Sequence, residues 1–521
     1  MNPSSIFFRP EWTCGRYNKE HRVAIYYNLI AGLCYFFEDD SADVMGEVLN
    51  VGKNESFYLE NISESLGIHI NSLKPFFEQL ESCSLVTKSV PTKDGIAAYR
   101  KQLSQYKCNR TQKEERTTQE KLPYEMSNAE MDYTNRVGGI TSAMFELTYN
   151  CSEKCIHCYN IGATRNDSEQ SFRADREELQ LEDYKRIIDD LYENGLIKVT
   201  LSGGDPFSKP IVWDIIDYLY QKGIATTLFT NGQRITNDVE RLAHYYPCLI
   251  GVSIYSGVEE DHDFITRVPG SWRKSVSVIE QLSALAVPMN IKCCVMRSNV
   301  QTYYTVNDLA KKYGAVPQFE IGVSDSVDGD RCVSQNLRLT KEQLEIVLRD
   351  DNVPLYVGKE APNYGGQPKL MDRNCCGGGH NNCCITPEGN VIPCVSFHAK
   401  FGSVKDKSIS EIFKTSKGWK DWNNVTLQQY DECGRYEYCA YCNLCPGHNF
   451  AEHGTPLKAS EHCCYFSKVR YELAHKMMKG YDPLQGRTVE EALKALPSDK
   501  PKSLQRDKTQ SFCDIDLKVG G

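Results

Sequence analysis

Residues Met144-Phe145-Glu146-Leu147-Thr148-Tyr149-Asn150-Cys151-Ser152-Glu153-Lys154-Cys155-Ile156-His157-Cys158 decide how this chain is read. A strand-like run, 144–148, ends in a CxxxCxxC triplet. Three thiolates at that spacing can hold three irons of a 4Fe–4S cube and leave the fourth iron open to a chelating ligand. A closed zinc site wants four ligands, and no fourth Cys or His stands at finger spacing here. Forty-four residues separate Cys158 from Gly203-Gly204-Asp205-Pro206, which follows a second strand-like run, 198–201.

Around these motifs, strand and helix patterns alternate from about 140 to 350. Strands are expected over 144–148, 198–201, 225–230, 249–255, 289–296 and 318–323, with helices over 181–193, 212–222, 237–245, 275–284 and 305–313. Six strands with helices between them predict an α/β fold, a parallel sheet curved into a partial barrel. In such a barrel the chemistry gathers at the carboxyl ends of the strands. The cysteine loop leaves the first strand and the Gly-Gly-Asp-Pro turn the second. Thr230-Asn231-Gly232 leaves the third, and Val252-Ser253-Ile254-Tyr255 closes the fourth.

The triplet followed by this turn resembles the radical S-adenosylmethionine (radical SAM) superfamily, whose turn usually reads Gly-Gly-Glu-Pro. Asp205 is a conservative departure. The resemblance implies a partial (β/α)6 radical SAM barrel in which Cys151, Cys155 and Cys158 hold the catalytic cluster. It further implies that Gly203, Gly204 and Asp205 meet the SAM amine, and that Ser253 contacts the ribose or carboxylate. Only small residues let backbone approach a ligand that closely. His157 stands where the superfamily often has an aromatic and is expected to shield the cluster. The reaction implied is reductive cleavage of SAM to a 5′-deoxyadenosyl radical, with the protein excluding water and positioning a C–H bond.

At 521 residues the chain is too long for one core, so two to four domains are expected. With 40% hydrophobic and 25% charged residues it has an ordinary globular composition. No run of eighteen apolar residues is present, so no membrane span is expected. The N-terminus lacks a basic stretch followed by an apolar one, so no signal peptide is read there. A formal net charge of −9 argues against nucleic acid as a partner. Of the 23 cysteines, 11 fall between Cys375 and Cys464. In a long chain read without a signal, such thiols suit metal ligands in a reducing cytoplasm better than disulfides.

That cysteine-rich stretch has its own pattern. Cys376, Gly389 and Cys394 are followed by Cys433, Cys439, Cys442 and Cys445 in a C-x5-C-x2-C-x2-C run, then by Cys463-Cys464. It resembles the SPASM extension, which carries two auxiliary 4Fe–4S clusters, although the usual central spacing is C-x2-C-x5-C-x3-C. By that resemblance, Cys376, Cys394, Cys445 and one of Cys383 and Cys384 would serve one cluster. Cys433, Cys439, Cys442 and one of Cys463 and Cys464, with Cys463 put first, would serve the other. Cys375 also fits the first position. A pair of structural zinc sites is the competing reading.

Five regions are expected. Residues 1–100 form a winged-helix-like unit, 101–136 a polar linker and 137–350 the barrel. Residues 351–480 form the SPASM module and 481–521 a polar tail. In the first unit, 22–30 and 32–38 read as strands, Ser41-Ala42-Asp43 as a helix cap, and Ile62 to Leu85 as a helix–turn–helix. This unit resembles the leader-peptide recognition domain of ribosomal-peptide maturases, which adds the leader as a strand on a sheet edge. Residues 1–100 carry 9 Lys+Arg against 13 Asp+Glu, which disfavours DNA.

Taken together, the regions resemble radical SAM/SPASM maturases of cysteine-rich peptides. The implied function is installing Cys-to-carbon thioether links in a precursor peptide, with a low-potential donor such as ferredoxin or flavodoxin. Side-chain oxidation of the sulfatase-maturase type is one alternative, disfavoured because Val395 replaces the Asp those relatives carry after Cys394. Carbon–carbon crosslinking is a second. An iron–sulfur DNA-binding regulator is a third.

Overall fold

The computed structural model describes residues 6–113, 127–160, 177–326, 332–358, 362–374 and 376–497. Strands β1 (Ile6–Phe8), β2 (Thr13–Asn18), β3 (Val23–Asn28) and β4 (Leu33–Glu38) open the chain. They lead into α1 (Asp39–Asn50), β5 (Ser56–Tyr58), α2 (Leu59–Leu66) and α3 (Ile70–Ser82). β2, β3 and β4 form an antiparallel sheet in that order, and β1 pairs with β5. The run Val23-Ala24-Ile25-Tyr26-Tyr27 is apolar throughout because β3 is buried on both faces. Ala24 and Tyr26 face Met45, Leu73 and Phe77 of the neighbouring helices. Val23, Ile25 and Tyr27 face Ile197, Ala225 and Tyr246 of the barrel.

Two local expectations are corrected here. α1 begins at Asp39, ahead of the cap expected at residues 41–43. Glu38 is its N-cap, and Ser41 at the third helical position completes a capping box. The span 101–136 is not uniformly a linker. It contains the end of α4 (Lys93–Lys113) and most of α5 (Asn128–Val137), while 114–126 lie outside the described residues. Ile96, Tyr99 and Leu103 of α4 pack against the second core of the amino-terminal sheet, and Ser127 with Glu130 caps α5.

Glu130 ties three elements together. It accepts hydrogen bonds from Tyr27 Oη at 2.9 Å and from Lys198 Nζ at 2.6 Å, while its other oxygen accepts from Ser127 N. Burial opposes its ionisation, but Lys198 outweighs that and holds the carboxyl below its ordinary range. The Glu130 side chain is 6% exposed and that of Lys198 22%. Glu130→Ala strands a cation at the start of β7, so a loss of about 3 kcal/mol is expected in urea unfolding, the lower end for a broken buried pair. With the folded pKa lowered, the pair's contribution is complete above the ordinary carboxylate pKa. It disappears as pH falls through the depressed value.

The central sheet is built from β6 (Ser142–Thr148), β7 (Lys198–Gly203), β8 (Ala225–Thr230), β9 (Leu249–Ser253), β10 (Met289–Cys294) and β11 (Val316–Glu320). All adjacent pairs are parallel and in chain order. The crossovers carry α6 (Leu181–Glu193), α7 (Val212–Gln221), α8 (Val239–His244), α9 (Glu259–Thr266), α10 (Ser271–Ala284) and α11 (Thr305–Lys312). α6 buries Tyr184, Ile187, Ile188 and Leu191, the spacing of a single apolar stripe. α12 (Cys332–Leu337) and α13 (Lys341–Val347) follow.

The cysteine-rich region contributes β12 (Asn382–Ile385), β13 (Asn390–Ile392) and β14 (Gly402–Ser403). Helices α14 (Ile409–Thr415), α15 (Lys417–Asn423), α16 (Pro446–His453) and α17 (Glu461–Met478) follow. β12 runs parallel to β6, so the sheet has nine strands and the cysteine module is fused to the barrel edge. α18 (Val489–Ala495) lies within the stretch expected as a tail, and its Ala492 and Leu493 join the main core. Residues 498–521 lie outside the described residues.

Candidate active site

The cysteine loop is held from below and beside. Lys154 N and Ile156 N donate to the carbonyls of Thr266 and Ile265 at the end of α9, and Cys158 N donates to Cys155 O. Cys151 Sγ accepts from Glu153 N at 3.4 Å and from Asn231 Nδ2 at 3.3 Å. All three thiols line one cavity of about 560 Å³ at the carboxyl ends of the barrel strands. Burial pushes the Cys151 thiol up to about 12 and that of Cys155 well above its ordinary value.

The glycine turn is shaped by contact with this loop. Gly203 adopts φ +124°, and a Cβ there would lie 2.3 Å from Thr148 O. A Cβ on Gly204 would lie 2.4 Å from Asn150 O, so neither position admits a side chain. Both glycines face the cavity. Asp205 does not: its side chain is fully buried. Its carboxylate accepts from Phe207 N at 2.9 Å, Thr230 Oγ1 at 3.0 Å and Asn231 N at 3.3 Å. The Asp205 side chain therefore fastens the second strand end to the third, so the contact with SAM expected of this turn falls to backbone.

Ser253 lines the cavity from the end of β9. His157 lies edge-on to Tyr255, with ring centroids 4.6 Å apart, and burial holds its imidazole near 4, so it is neutral. Lys292, Cys294 and Glu320 face inward from β10 and β11. Burial lowers Lys292 to about 8. These three were not singled out in the sequence. The available signal was their period-2 placement on strands whose intervening residues, Ile291, Cys293 and Phe319, enter the core.

The opposite wall comes from the cysteine-rich module: Val395, Ser396, Cys445, His448, His462 and Cys463. Cys394 is within electrostatic reach of Cys376 and Cys445. Gly447 lets α16 press onto this loop, since a Cβ there would sit 2.3 Å from Ser396 O. A second group gathers around Cys442, whose titratable neighbours include Cys464, Cys433 and Cys439. Of the adjacent pair, Cys464 neighbours Cys439, and Cys463 neighbours Cys442 and Cys445 and lines the cavity with its Sγ 3.4 Å from His448 Nδ1. Cys383 lies in the main hydrophobic core, and Cys384 is buried with Glu146 and Cys394 as titratable neighbours. Cys375 lies outside the described residues.

These side chains fit a cluster better than a single ion. Among the described residues no three Cys, His, Asp or Glu groups converge as a mononuclear site requires. The first triplet offers three thiols on one loop, N–H donors aimed at Cys151 sulfur, and open space beyond. Glu153 Oε1 and His157 Nδ1 lie buried there without a hydrogen-bond partner.

Residues 145–309 match the radical SAM superfamily model, and 375–446 match SPASM, an iron–sulfur cluster-binding domain. The chain therefore carries a radical SAM domain and a SPASM domain over those residues. Its cofactors are accordingly a 4Fe–4S cluster with SAM, and auxiliary iron–sulfur clusters. It is 27% identical over 343 residues to the AdoMet-dependent heme synthase of Methanosarcina barkeri, covering 62% of this chain and 95% of that one. It is 25% identical over 322 residues to the antilisterial bacteriocin subtilosin biosynthesis protein AlbA of Bacillus subtilis, covering 58% and 66%. Mycofactocin maturase MftC of Mycobacterium tuberculosis is 27% identical over 315 residues, covering 57% and 76%. In fold, the chain is similar to Streptococcus suis SuiB crystallised with precursor peptide SuiA. The TM-score is 0.50 at 14% identity, over 88% of this chain and 99% of that one. Among the described residues no helix is long and apolar enough to cross a membrane.

Proposed function

We propose that this chain matures a ribosomally made, cysteine-bearing precursor peptide by joining a Cys sulfur to carbon in an intramolecular thioether. The observation that carries the reading is one shared cavity of about 560 Å³, lined by Cys151, Cys155 and Cys158 of the barrel and by Cys445 and Ser396 of the auxiliary module. Similarity to AlbA, named for subtilosin bacteriocin biosynthesis, and to the mycofactocin maturase MftC supports a role in maturation.

Cys151, Cys155 and Cys158 would hold the SAM-binding cluster, with Gly203, Gly204 and Ser253 lining the SAM site. Cys376, Cys394 and Cys445 would hold one auxiliary cluster. The other would use Cys433, Cys439 and Cys442 with one of Cys463 and Cys464, both of which neighbour Cys442. Bound SAM and cluster would supply the radical that takes a hydrogen atom from the acceptor carbon. The remaining balance is a thiol proton and one electron. The electron goes to an auxiliary iron–sulfur cluster, while a ferredoxin- or flavodoxin-like low-potential donor would supply the electron that reductive SAM cleavage consumes. The proton falls to Glu320, whose carboxylate opens onto the cavity. Among the described residues it bonds no side chain, only backbone N–H groups such as Gly322 N at 2.9 Å.

Val395 lines the same cavity and offers no acceptor, which weighs against side-chain oxidation of the sulfatase-maturase type. The test is co-expression with short cysteine-rich reading frames, followed by mass spectrometry. Loss of two hydrogens per link, with those cysteines closed to alkylation, is expected. Alkylatable cysteines in the product would defeat the reading.

The leader would bind along β4, one of the two edge strands of the amino-terminal sheet, next to α3. Leu33 is 53% exposed there, and Phe37 meets Phe76 of α3 edge-on at 6.1 Å. Deleting residues 1–100 would strip the barrel of the cover β3 gives it, so point changes are the sharper test. Leu33→Asp with Tyr35→Asp is expected to weaken binding of the precursor roughly tenfold, about 1.4 kcal/mol. Fluorescence anisotropy on the labelled peptide reads it.

A further inference from the structure

Tyr255 stands two residues beyond the end of β9 and is only 8% exposed. Its backbone is fixed on both sides: Tyr255 N donates to His262 Nδ1 at 3.2 Å, and Asn299 Nδ2 donates to Tyr255 O at 2.7 Å. Its ring is fixed as well. His262 stacks against it at 5.5 Å and 21°, and His157 meets it edge-on at 4.6 Å and 77°. With both faces of the side chain so constrained, the phenol has one direction to point. Its Oη lies 3.8 Å from Cys155 Sγ, at the cavity wall. Ser253 neighbours the same hydroxyl and lines the same cavity.

We propose that Tyr255 is a positioning residue that couples cosubstrate binding to the potential of the cluster on Cys155, through its hydroxyl held between Cys155 and Ser253. A protonated thiol could donate to the phenol, but a thiolate holding iron can only accept, so the phenol becomes the donor. A hydrogen bond onto a ligand sulfur stabilises the extra negative charge of the reduced state and raises the reduction potential. When Ser253 turns its hydroxyl to a polar group of SAM, it no longer competes for the phenol. The Tyr255 O–H is then committed wholly to the sulfur. Cosubstrate binding thereby eases reduction of the cluster that must cleave it. The two histidines supply the rigidity that a 3.8 Å contact needs, and neither is required to titrate.

The test uses the full chain, anaerobically reconstituted, with SAM as the probe. In potentiometric titrations followed by electron paramagnetic resonance, the SAM-binding cluster is the signal that changes when SAM is added. In Tyr255→Phe its reduction equilibrium is expected to fall about tenfold, 59 mV for one electron. The SAM-dependent rise in potential is expected to shrink with it. Ser253→Ala should raise the potential without SAM and likewise flatten the SAM response. Should Tyr255→Phe load iron poorly, site-specific replacement of Tyr255 by 3-fluorotyrosine keeps the shape and strengthens the donor. The potential should then rise. Unchanged potentials in a loaded Tyr255→Phe protein, or in the fluorinated one, would overturn the proposal.

Discussion

Cys155→Ala protein, reconstituted without oxygen, is expected to release no 5′-deoxyadenosine from SAM and dithionite, while holding about four fewer irons than the parent. The loop that carries Cys155 gives it no substitute. Its neighbours Ile156 and Lys154 are pinned through their amides to the end of α9, so the loop cannot slide another donor into place. Glu153 is the nearest carboxylate, and Cys155 Sγ already lies 3.4 Å from its Oε2. Its carboxyl is pushed by burial to about 8, so near neutrality it is mostly protonated and a poor ligand. The auxiliary groups lie on separate elements and should keep their iron. Iron and acid-labile sulfide counts of about eight, against about twelve in the parent, would match this account. An alanine protein that still cleaves SAM would remove the basis of the assignment.

Gly204→Ala is expected to be the most damaging change outside the ligands. The added methyl would stand 2.4 Å from Asn150 O and 2.6 Å from Tyr149 O, both backbone atoms of the segment that carries Cys151. Backbone cannot step aside as a flexible side chain can, so the cysteine loop must move. Overpacking of this kind costs about 1–3 kcal/mol. The larger effect falls on turnover, because a displacement near 1 Å between reacting groups costs about 100-fold in rate. Gly95→Ala in α4 is the control, since its Cβ would meet only the Thr92 hydroxyl at 3.2 Å. Equal SAM cleavage by the two variants would contradict the close-packed turn.

Much of this could be read before folding was considered. The strand at 225–230 and the helix at 181–193 have the bounds their patterns predicted. Local periodicity governs such elements, and each buries a single well-defined face. The cysteine loop and glycine turn were equally legible, because their spacing is itself chemistry. α9 was missed, since its opening Glu259-Glu260-Asp261 masks an apolar stripe of only Ile265 with its neighbours. The linker was overextended because Ser127 and Glu130 cap α5 through a box that polar composition hides.

The order of residues alone determined the chemistry available to this protein: three thiols on one turn, a side-chain-free turn behind the next strand, and a second store of cysteines. Spacing along the chain suffices for that, since each motif folds from neighbours. Only the tertiary structure decided which groups meet. It turned Asp205 inward to bind strand ends, brought Cys463 to His448 and Cys464 to Cys439, and set Tyr255 against Cys155 across 100 residues of sequence. Contacts of that kind depend on how a curved sheet brings distant strand ends around one cavity, and no local pattern encodes them.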